Sequence, residues 1–162
     1  MPLYLEDIDV TPEIEEARSV LIVPCRMCPA TSLSVRNKTP FFEIFKTFFR
    51  TPALEQYIKA LQSRLEELGK NTGVYFSHQF LTCAWTLRER NKLLRRAEGY
   101  DAAIVLGCDS AAETARDALK STDCKVLQGM KVTGIVNVKV KFHLPGTLSL
   151  DECRIISVGN KS

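Results

Sequence analysis

The sequence predicts an α/β protein: a three-layer, mostly parallel sheet of the Rossmann or flavodoxin type with a C-terminal antiparallel β extension. Through residue 128, short apolar runs alternate with amphipathic helical segments, which is the order of a doubly wound parallel sheet with right-handed crossovers. From residue 132 onward, apolar and polar residues alternate singly, which indicates antiparallel strands. The 162 residues have the size of one domain. We divide it into an acidic leader (1–18), a βα core (19–128) and a β extension (129–162).

The composition is that of an ordinary globular chain, with 45% hydrophobic and 25% charged residues. The formal net charge of +3 is small, and no basic face interleaved with aromatic residues indicates a nucleic-acid partner. The chain opens with acidic residues, which is the wrong sign for a signal peptide, and no apolar run approaches the roughly 20 residues of a membrane span. We therefore expect a cytoplasmic protein without a membrane partner. Its six cysteines should then be reduced and serve metal binding, redox chemistry or core packing.

Apolar spacing predicts the elements of the N-terminal half. Ser19–Val23 is a buried strand, because the run is too short for a helix. The polar segment Pro29–Pro40 is predicted to be a loop. Phe41–Phe49 places four phenylalanines on one side of a predicted helix. A second helix, Pro52–Leu68, begins with a proline suited to its first turn and ends before Gly69.

The C-terminal half continues the alternation and then changes to strands. The predicted elements are, in chain order, a strand at Val74–Phe80, a basic helix at Thr86–Ala97, a strand at Tyr100–Leu106, a helix at Asp109–Lys120, a strand at Lys125–Gln128, and two hairpin strands at Val132–Leu144 and Cys153–Val158. The side chain of Asp109 followed by Glu113 resembles a capping box at a helix start.

A cysteine stands after each of the first three predicted strands. Cys25 and Cys28 form a Cys-x-x-Cys pair after the first strand. Cys83 follows the second strand, and Cys108 follows the third. Ligands of an open parallel sheet bind outside the carboxyl ends of its strands, so neighbouring strands about 5 Å apart would bring the four cysteines together. Four thiolates suit zinc or an iron–sulfur cluster equally well, and the helix N-termini that follow favour the thiolate form.

Packing is the simpler explanation for individual cysteines, because free cysteines often behave as small buried hydrophobes. Cys83 and Cys108 are open to that interpretation. Cys124 and Cys153 precede predicted strands, at the opposite edge of the sheet, and we predict that both are core residues.

The cysteine-bearing stretches resemble a known family. Cys25-x-x-Cys28 after a strand, then Cys83, then Asp101-Ala-Ala-Ile-Val-Leu-Gly-Cys108-Asp-Ser-Ala-Ala-Glu-Thr-Ala, is similar to the small cysteine-rich protein or C-terminal domain associated with bacterial methylenetetrahydrofolate reductases. The likeness covers about residues 19–137. Glycine precedes Cys108 here instead of following it, and the family's second, C-terminal cysteine-rich zinc motif is absent from this sequence.

The resemblance implies a metal- or iron–sulfur-binding accessory protein of one-carbon or corrinoid methyl-transfer metabolism. Its metal ligands would be Cys25, Cys28, Cys83 and Cys108, and its partner would be a methyl-transfer or reductase subunit. Two alternatives remain open. One is a thiol–disulfide oxidoreductase using Cys25 and Cys28, because a dithiol that opens a helix has a depressed thiol pKa. The other is a non-catalytic interaction module.

The phenylalanine stripe at Phe41–Phe49 would organise such a module, by docking a partner, forming a homodimer contact or closing over the cysteines. Ordinary core packing explains it equally well. His78 is predicted to be a core or edge residue of the second strand, and His143 to be solvated, so no Ser-His-Asp or Cys-His arrangement is indicated. The glycines do not form a phosphate-binding loop, and we expect no nucleotide cofactor.

Overall fold

Two β-sheets and four α-helices form the described chain, residues 2–45 and 48–158 of this computed structural model. The strands are β1 Leu3–Asp7, β2 Ser19–Pro24, β3 Phe42–Phe45, β4 Phe48–Arg50, β5 Asn71–Val74, β6 Ala102–Leu106, β7 Lys125–Gln128, β8 Met130–His143 and β9 Thr147–Ser157. The helices are α1 Cys28–Asn37, α2 Pro52–Glu67, α3 Leu87–Ala97 and α4 Asp109–Leu119, with 3-10 helices at Thr11–Ile14 and Thr82–Ala84.

The parallel sheet has the strand order β5-β2-β6-β7. Its central strands pair in register, from Val20 opposite Ala102 to Pro24 opposite Leu106. Every residue of β6 is buried, as is every residue of β2 after Ser19, as expected for strands covered on both faces. This burial explains the continuous apolar runs from which the sequence predicted a parallel α/β core, and that prediction is confirmed.

The second sheet is antiparallel, with the order β1-β8-β9-β3-β4. It contains the predicted C-terminal hairpin as β8 and β9, and it also contains the N-terminal strand β1. In β1, Leu3 lies opposite Ile135 of β8, and the side chain of Leu5 is fully buried. Residues 3–7 are therefore an integral strand of this sheet, although their composition indicated an acidic leader.

The segment Pro29–Pro40, predicted to be a loop, contains α1. The hydroxyl of Thr31 donates to the carbonyl of Met27, and the hydroxyl of Ser32 donates to the carbonyl of Cys28, both at 2.9 Å. Both side chains are buried. Hydroxyls that bond back to a carbonyl four residues earlier are satisfied inside a helix, so the polar composition of this segment does not require a loop.

Within the segment predicted to be a helix, Phe41–Phe49, the described residues 42–45 and 48–49 belong to strands β3 and β4. Phe42 of β3 lies opposite Leu148 of β9, and the Phe42 side chain is 8% exposed. Hydrogen bonds from a strand distant in sequence decide the conformation, which the local spacing of aromatic residues cannot reveal. The side chains at positions 45 to 49 lie outside the described residues, so the role assigned to the phenylalanine stripe stays a prediction.

The predicted strand Val74–Phe80 is mostly a loop, and β5 ends where that prediction begins. The amide of Tyr75 still donates to the carbonyl of Ile22 in β2, at 2.9 Å. The Tyr75 hydroxyl, however, donates to Glu89 Oε1 at 2.6 Å. This bond anchors the chain to α3, so the apolar run after Val74 leaves the sheet.

Glycines and a threonine delimit α2 and α3 as predicted. Gly69 follows α2 with φ +77°, and Gly99 follows α3 with φ +84°, the left-handed conformation that glycine accepts most easily. Thr86 caps α3 by accepting a hydrogen bond from the amide of Glu89 at 3.4 Å. The predicted capping box of α4 is absent from the described chain, because Cys108 occupies the N-cap position without a side-chain cap bond.

The helices pack in two pairs, α1 with α2 and α3 with α4. Within the described ranges, no helix combines the length and the apolar character needed to cross a membrane.

Candidate cysteine site

Cys25 and Cys108 lie together because β2 and β6 are neighbouring strands. The amide of Cys25, directly after β2, donates to the carbonyl of Leu106 at the end of β6, at 2.8 Å. Both cysteines are buried. Between them, an ideal Cβ on Gly107 would lie 2.7 Å from the Cβ of Ala111 and 3.4 Å from the Cβ of Cys25. The turn from β6 into α4 therefore needs a glycine because a Cβ would collide with Ala111, whereas its distance to Cys25 is an ordinary van der Waals contact.

The loop after β5 brings Cys83 toward the same edge. The carbonyl of Phe80 accepts a hydrogen bond from the amide of Arg26 at 3.1 Å and lies 3.7 Å from the Cys25 Sγ donor. The 3-10 helix Thr82–Ala84, which contains Cys83, packs against α4. Cys83 is exposed, whereas Cys28, the first residue of α1, is half-buried.

The thiols of Cys28 and Cys83 lie in surroundings that raise their pKa values. The pKa of the Cys28 thiol is raised to about 11. Burial is the largest cause, and charge on each of the other three cysteines adds to it, while a hydrogen bond to the backbone of Leu3 opposes it. The pKa of Cys83 is also raised, by burial first and then by charge on Cys25 and Cys108. These influences place the Cys28 and Cys83 thiols within electrostatic reach of Cys25 and Cys108.

The cysteines do not form a completed ligand set as they stand. Across residues 2–45 and 48–158, no three or more His, Cys, Asp or Glu side chains are grouped so that they could hold a metal ion. All six cysteines are free thiols. The donors also differ in depth, since Cys25 and Cys108 are buried and Cys83 is exposed. A metal bound by all four would require these side chains to rearrange.

The raised pKa of Cys28 is the opposite of what the sequence predicted for a reactive dithiol. The helix N-terminus at Cys28 favours a thiolate, but burial outweighs it. At neutral pH, the Cys28 thiol of the metal-free protein is therefore protonated and weakly nucleophilic. This disfavours thiol–disulfide exchange through Cys28.

The two remaining cysteines behave differently from each other. Cys124 is buried directly before β7, as predicted for a core residue, and burial raises its pKa to about 11. Cys153 was predicted to be a core residue, and this is wrong, because it is exposed within β9. Strand β3 covers β9 only near Leu148, so the stretch of β9 that contains Cys153 pairs with β8 alone.

Both histidines are exposed to solvent. His78 is exposed in the loop after β5 rather than placed in a strand core. His143 is exposed at the end of β8, as predicted, and one of its ring nitrogens lies 2.9 Å from the Ser149 hydroxyl.

A cleft lies beside the cysteine site, and no sequence pattern indicated it. It measures about 670 Å³. Its described lining residues are Arg26, Arg50, Glu55, Ile58, Lys59, Gln62, Val74, Phe76, Ser77 and His78. They come from four separate stretches of chain, which periodicity cannot bring together. The one available signal was Arg26, a cation placed between the two cysteines of the Cys-x-x-Cys pair.

The similarity of the cysteine-bearing stretches to the reductase-associated domains thus rests on the residues quoted for it. No protein-family model, no curated protein and no solved structure matches the chain.

Proposed function

We propose that Cys25, Cys28, Cys83 and Cys108 bind zinc or an iron–sulfur cluster. The observation that carries the proposal is that Cys25 and Cys108 are both buried where the neighbouring strands β2 and β6 end, and that charge on these two cysteines raises the pKa values of Cys28 and Cys83. Zinc and iron–sulfur clusters both prefer an all-thiolate donor set. The protein then acts as a metal-binding accessory protein of one-carbon or corrinoid methyl-transfer metabolism, the role implied by the family resemblance.

Burial, the largest cause of the raised pKa values of Cys28 and Cys83, imposes a free-energy penalty on their thiolates. A bound cation removes that penalty, since metal-bound thiols are deprotonated. Metal binding should therefore release protons, and its affinity should fall as the pH is lowered. Because no three donor side chains of the described residues are grouped to hold a metal ion, binding requires a rearrangement of the cysteine side chains.

We propose a methyl-transfer or reductase subunit as the partner, on the ground of the family resemblance alone. The alternative assembly is a homodimer of this chain. The compartment is the cytoplasm, where thiols stay reduced and available to a metal. The parallel sheet would form the middle of a three-layer, Rossmann-like core. Support for that arrangement comes from its four parallel strands and its two helix pairs, α1 with α2 and α3 with α4.

The test is the metal and acid-labile sulfide content of the full chain purified without oxygen, together with its visible spectrum. Iron with sulfide and a coloured protein would indicate a cluster, and stoichiometric zinc without colour would indicate a zinc site. The proposal fails if the reduced protein holds neither and does not take up either zinc or iron with sulfide when these are supplied.

The chain offers two matched controls for this test. Cys108 and Cys124 are both buried, and Cys83 and Cys153 are both exposed. The substitutions Cys108→Ser and Cys83→Ser should abolish or strongly reduce metal content, whereas Cys124→Ser and Cys153→Ser should leave it unchanged. Equal metal content in all four variants would exclude the four-cysteine site. A reversible Cys25–Cys28 disulfide in that case would favour the oxidoreductase alternative, and inert thiols would favour the interaction module.

A further inference from the structure

The cleft beside the cysteine site has two long walls. One wall is a face of α2 that carries Glu55, Ile58, Lys59 and Gln62. The opposite wall is the end of β5 and the chain that follows it, Val74 to His78 without Tyr75. Arg26 and Arg50 complete the lining. The volume of about 670 Å³ falls in the range of about 300–1,000 Å³ that is usual for small-molecule sites.

The charges of the cleft are predominantly positive. Its described lining carries three cations, Arg26, Arg50 and Lys59, and one carboxylate, Glu55. The cations of the described lining therefore outnumber its carboxylates by two.

Glu55 is already engaged in holding the local structure. Its Oε2 accepts hydrogen bonds from Arg50 Nη2 at 2.9 Å and Nε at 3.2 Å. Its Oε1 accepts one from the amide of Thr51 at 3.1 Å, at the start of α2. The carboxylate also acts on Arg26, whose pKa it raises. The Glu55 carboxylate thus interacts with two arginines and with a backbone amide at the start of α2. It does not neutralise the charge of Lys59.

Arg26 connects the cleft with the cysteine site. Its guanidinium carbon lies 4.7 Å from the centre of the Phe80 ring. Burial lowers its pKa, and this is the largest influence on the group. A guanidinium nevertheless stays charged at neutral pH, so a half-buried positive charge faces this cleft. Such a charge attracts anions more strongly than a fully solvated one.

The cleft also offers apolar surface. Ile58 is buried in its wall, and Phe76 is 44% exposed although it is a large aromatic residue. Val74 is half-buried beside them. An exposed aromatic residue next to unbalanced cations suits a ligand with a flat apolar body and an anionic group.

We propose that this cleft binds a small organic anion that has an apolar or aromatic body. The anionic group is recognised by Arg26 and Lys59, and the body packs against Phe76 and Ile58. The proposal does not depend on metal binding by the cysteines, because none of the four cysteines is among the residues that line the cleft.

The test compares two fluorescent probes on the full chain. 8-Anilinonaphthalene-1-sulfonate has an aromatic body and an anionic group, and N-phenyl-1-naphthylamine is its neutral counterpart. The sulfonate should bind more tightly, and added sodium chloride should weaken the sulfonate but not the neutral probe. Equal affinity for both probes, or salt-independent binding of the sulfonate, would overturn the proposal.

Substitutions locate the binding. Lys59→Met should weaken sulfonate binding by about two- to fivefold, the size expected for one exposed charge, and Lys59→Glu should weaken it more. Arg88→Met is the matched control, because Arg88 is an exposed cation of α3 outside the cleft. Phe76→Ala should weaken both probes. If Lys59→Met and Arg88→Met have the same effect, the sulfonate binds elsewhere and the proposal is wrong. Far-ultraviolet circular dichroism checks that each variant is folded.

Discussion

The carboxylate of Asp101, the residue directly before β6, binds the first residue of β2, Ser19. Its Oδ2 accepts hydrogen bonds from the amides of Ser19 and Arg18, both at 2.8 Å, and from the Ser19 hydroxyl at 3.0 Å. These bonds lower the pKa of Asp101 below its ordinary value of 3.8, with the Ser19 amide as the largest cause. A side chain just before β6 thus fixes the level at which β2 starts, and so the level at which both strands end at Cys25 and Cys108.

Replacing Asp101 should destabilise the protein in a pH-dependent way. A carboxyl group whose folded-state pKa is lowered stabilises the fold above its unfolded pKa, and this contribution is lost as the pH falls through the folded-state value. Asp101→Asn should therefore lower the free energy of unfolding at neutral pH, and the difference from wild type should shrink below about pH 4. Urea unfolding at both pH values measures this. A difference that stays constant with pH would show that ionisation of Asp101 does not contribute.

The bond between Tyr75 and Glu89 should be important for stability, because the Glu89 side chain is buried. Removing the hydroxyl with Tyr75→Phe deprives a buried carboxylate of a donor at 2.6 Å, which should cost about 1–3 kcal/mol of unfolding free energy. Lys92, at 3.0 Å from Glu89 Oε2, limits the loss. In a Glu89→Met background the same tyrosine change should cost little, and an equal loss in both backgrounds would contradict the coupling.

The thiol of Cys28 should react slowly in the reduced, metal-free protein. With a pKa of about 11, its thiolate fraction at neutral pH is far below that of a free thiol with a pKa of about 8.5. Alkylation by iodoacetamide, followed residue by residue by mass spectrometry, should still accelerate at pH values where glutathione has reached its plateau. Restricted access lowers the plateau but does not move the midpoint, so the pH profile separates the two causes. A midpoint at or below that of glutathione would restore the oxidoreductase alternative.

Gly107 should be replaceable only at the expense of the packing around Cys25. The added Cβ of Gly107→Ala would collide with Ala111, and we expect a loss of about 1–3 kcal/mol, as for other overpacked positions. The turn must shift to relieve the collision, so alkylation of the buried Cys25 should accelerate.

Gly69→Ala is the control for that substitution. Its Cβ would meet no atom within 4 Å, and its φ of +77° makes backbone strain the source of the effect, about 1 kcal/mol. It should not change Cys25 alkylation. If both variants leave Cys25 equally protected, the close passage at Gly107 does not control access to the cysteine site.

The elements that the sequence predicted correctly are those whose conformation is determined by the residues of the element itself. Strands β2 and β6 are apolar throughout because both faces are covered, and α2 shows a full apolar stripe that ends at a glycine. The placement of Cys25 and Cys108 at the ends of neighbouring parallel strands also followed from local order, whereas β5 ends at Val74 and a loop separates it from Cys83.

The elements that were mispredicted depend on partners far along the chain. Leu3 is in a strand because Ile135 lies opposite it, and Phe42 because Leu148 does. Nothing in the flanking residues encodes those pairings. The exposure of Cys153 likewise follows from where β3 stops covering β9. The cleft combines residues from four stretches, so its charge and its apolar wall became apparent only in three dimensions.

The pairing of β1 with β8 has a consequence for how the protein is made. Strand β1 is synthesised long before β8, which begins at residue 130, so β1 lacks the strand it pairs with while residues 8–129 are being made. A nascent chain that has reached residue 128 holds all four strands of the parallel sheet, but β1 still lacks β8 and β3 still lacks β9, so each presents an unpaired edge. The final β-hairpin therefore completes the fold, and a fragment limited to the βα core would be prone to aggregate.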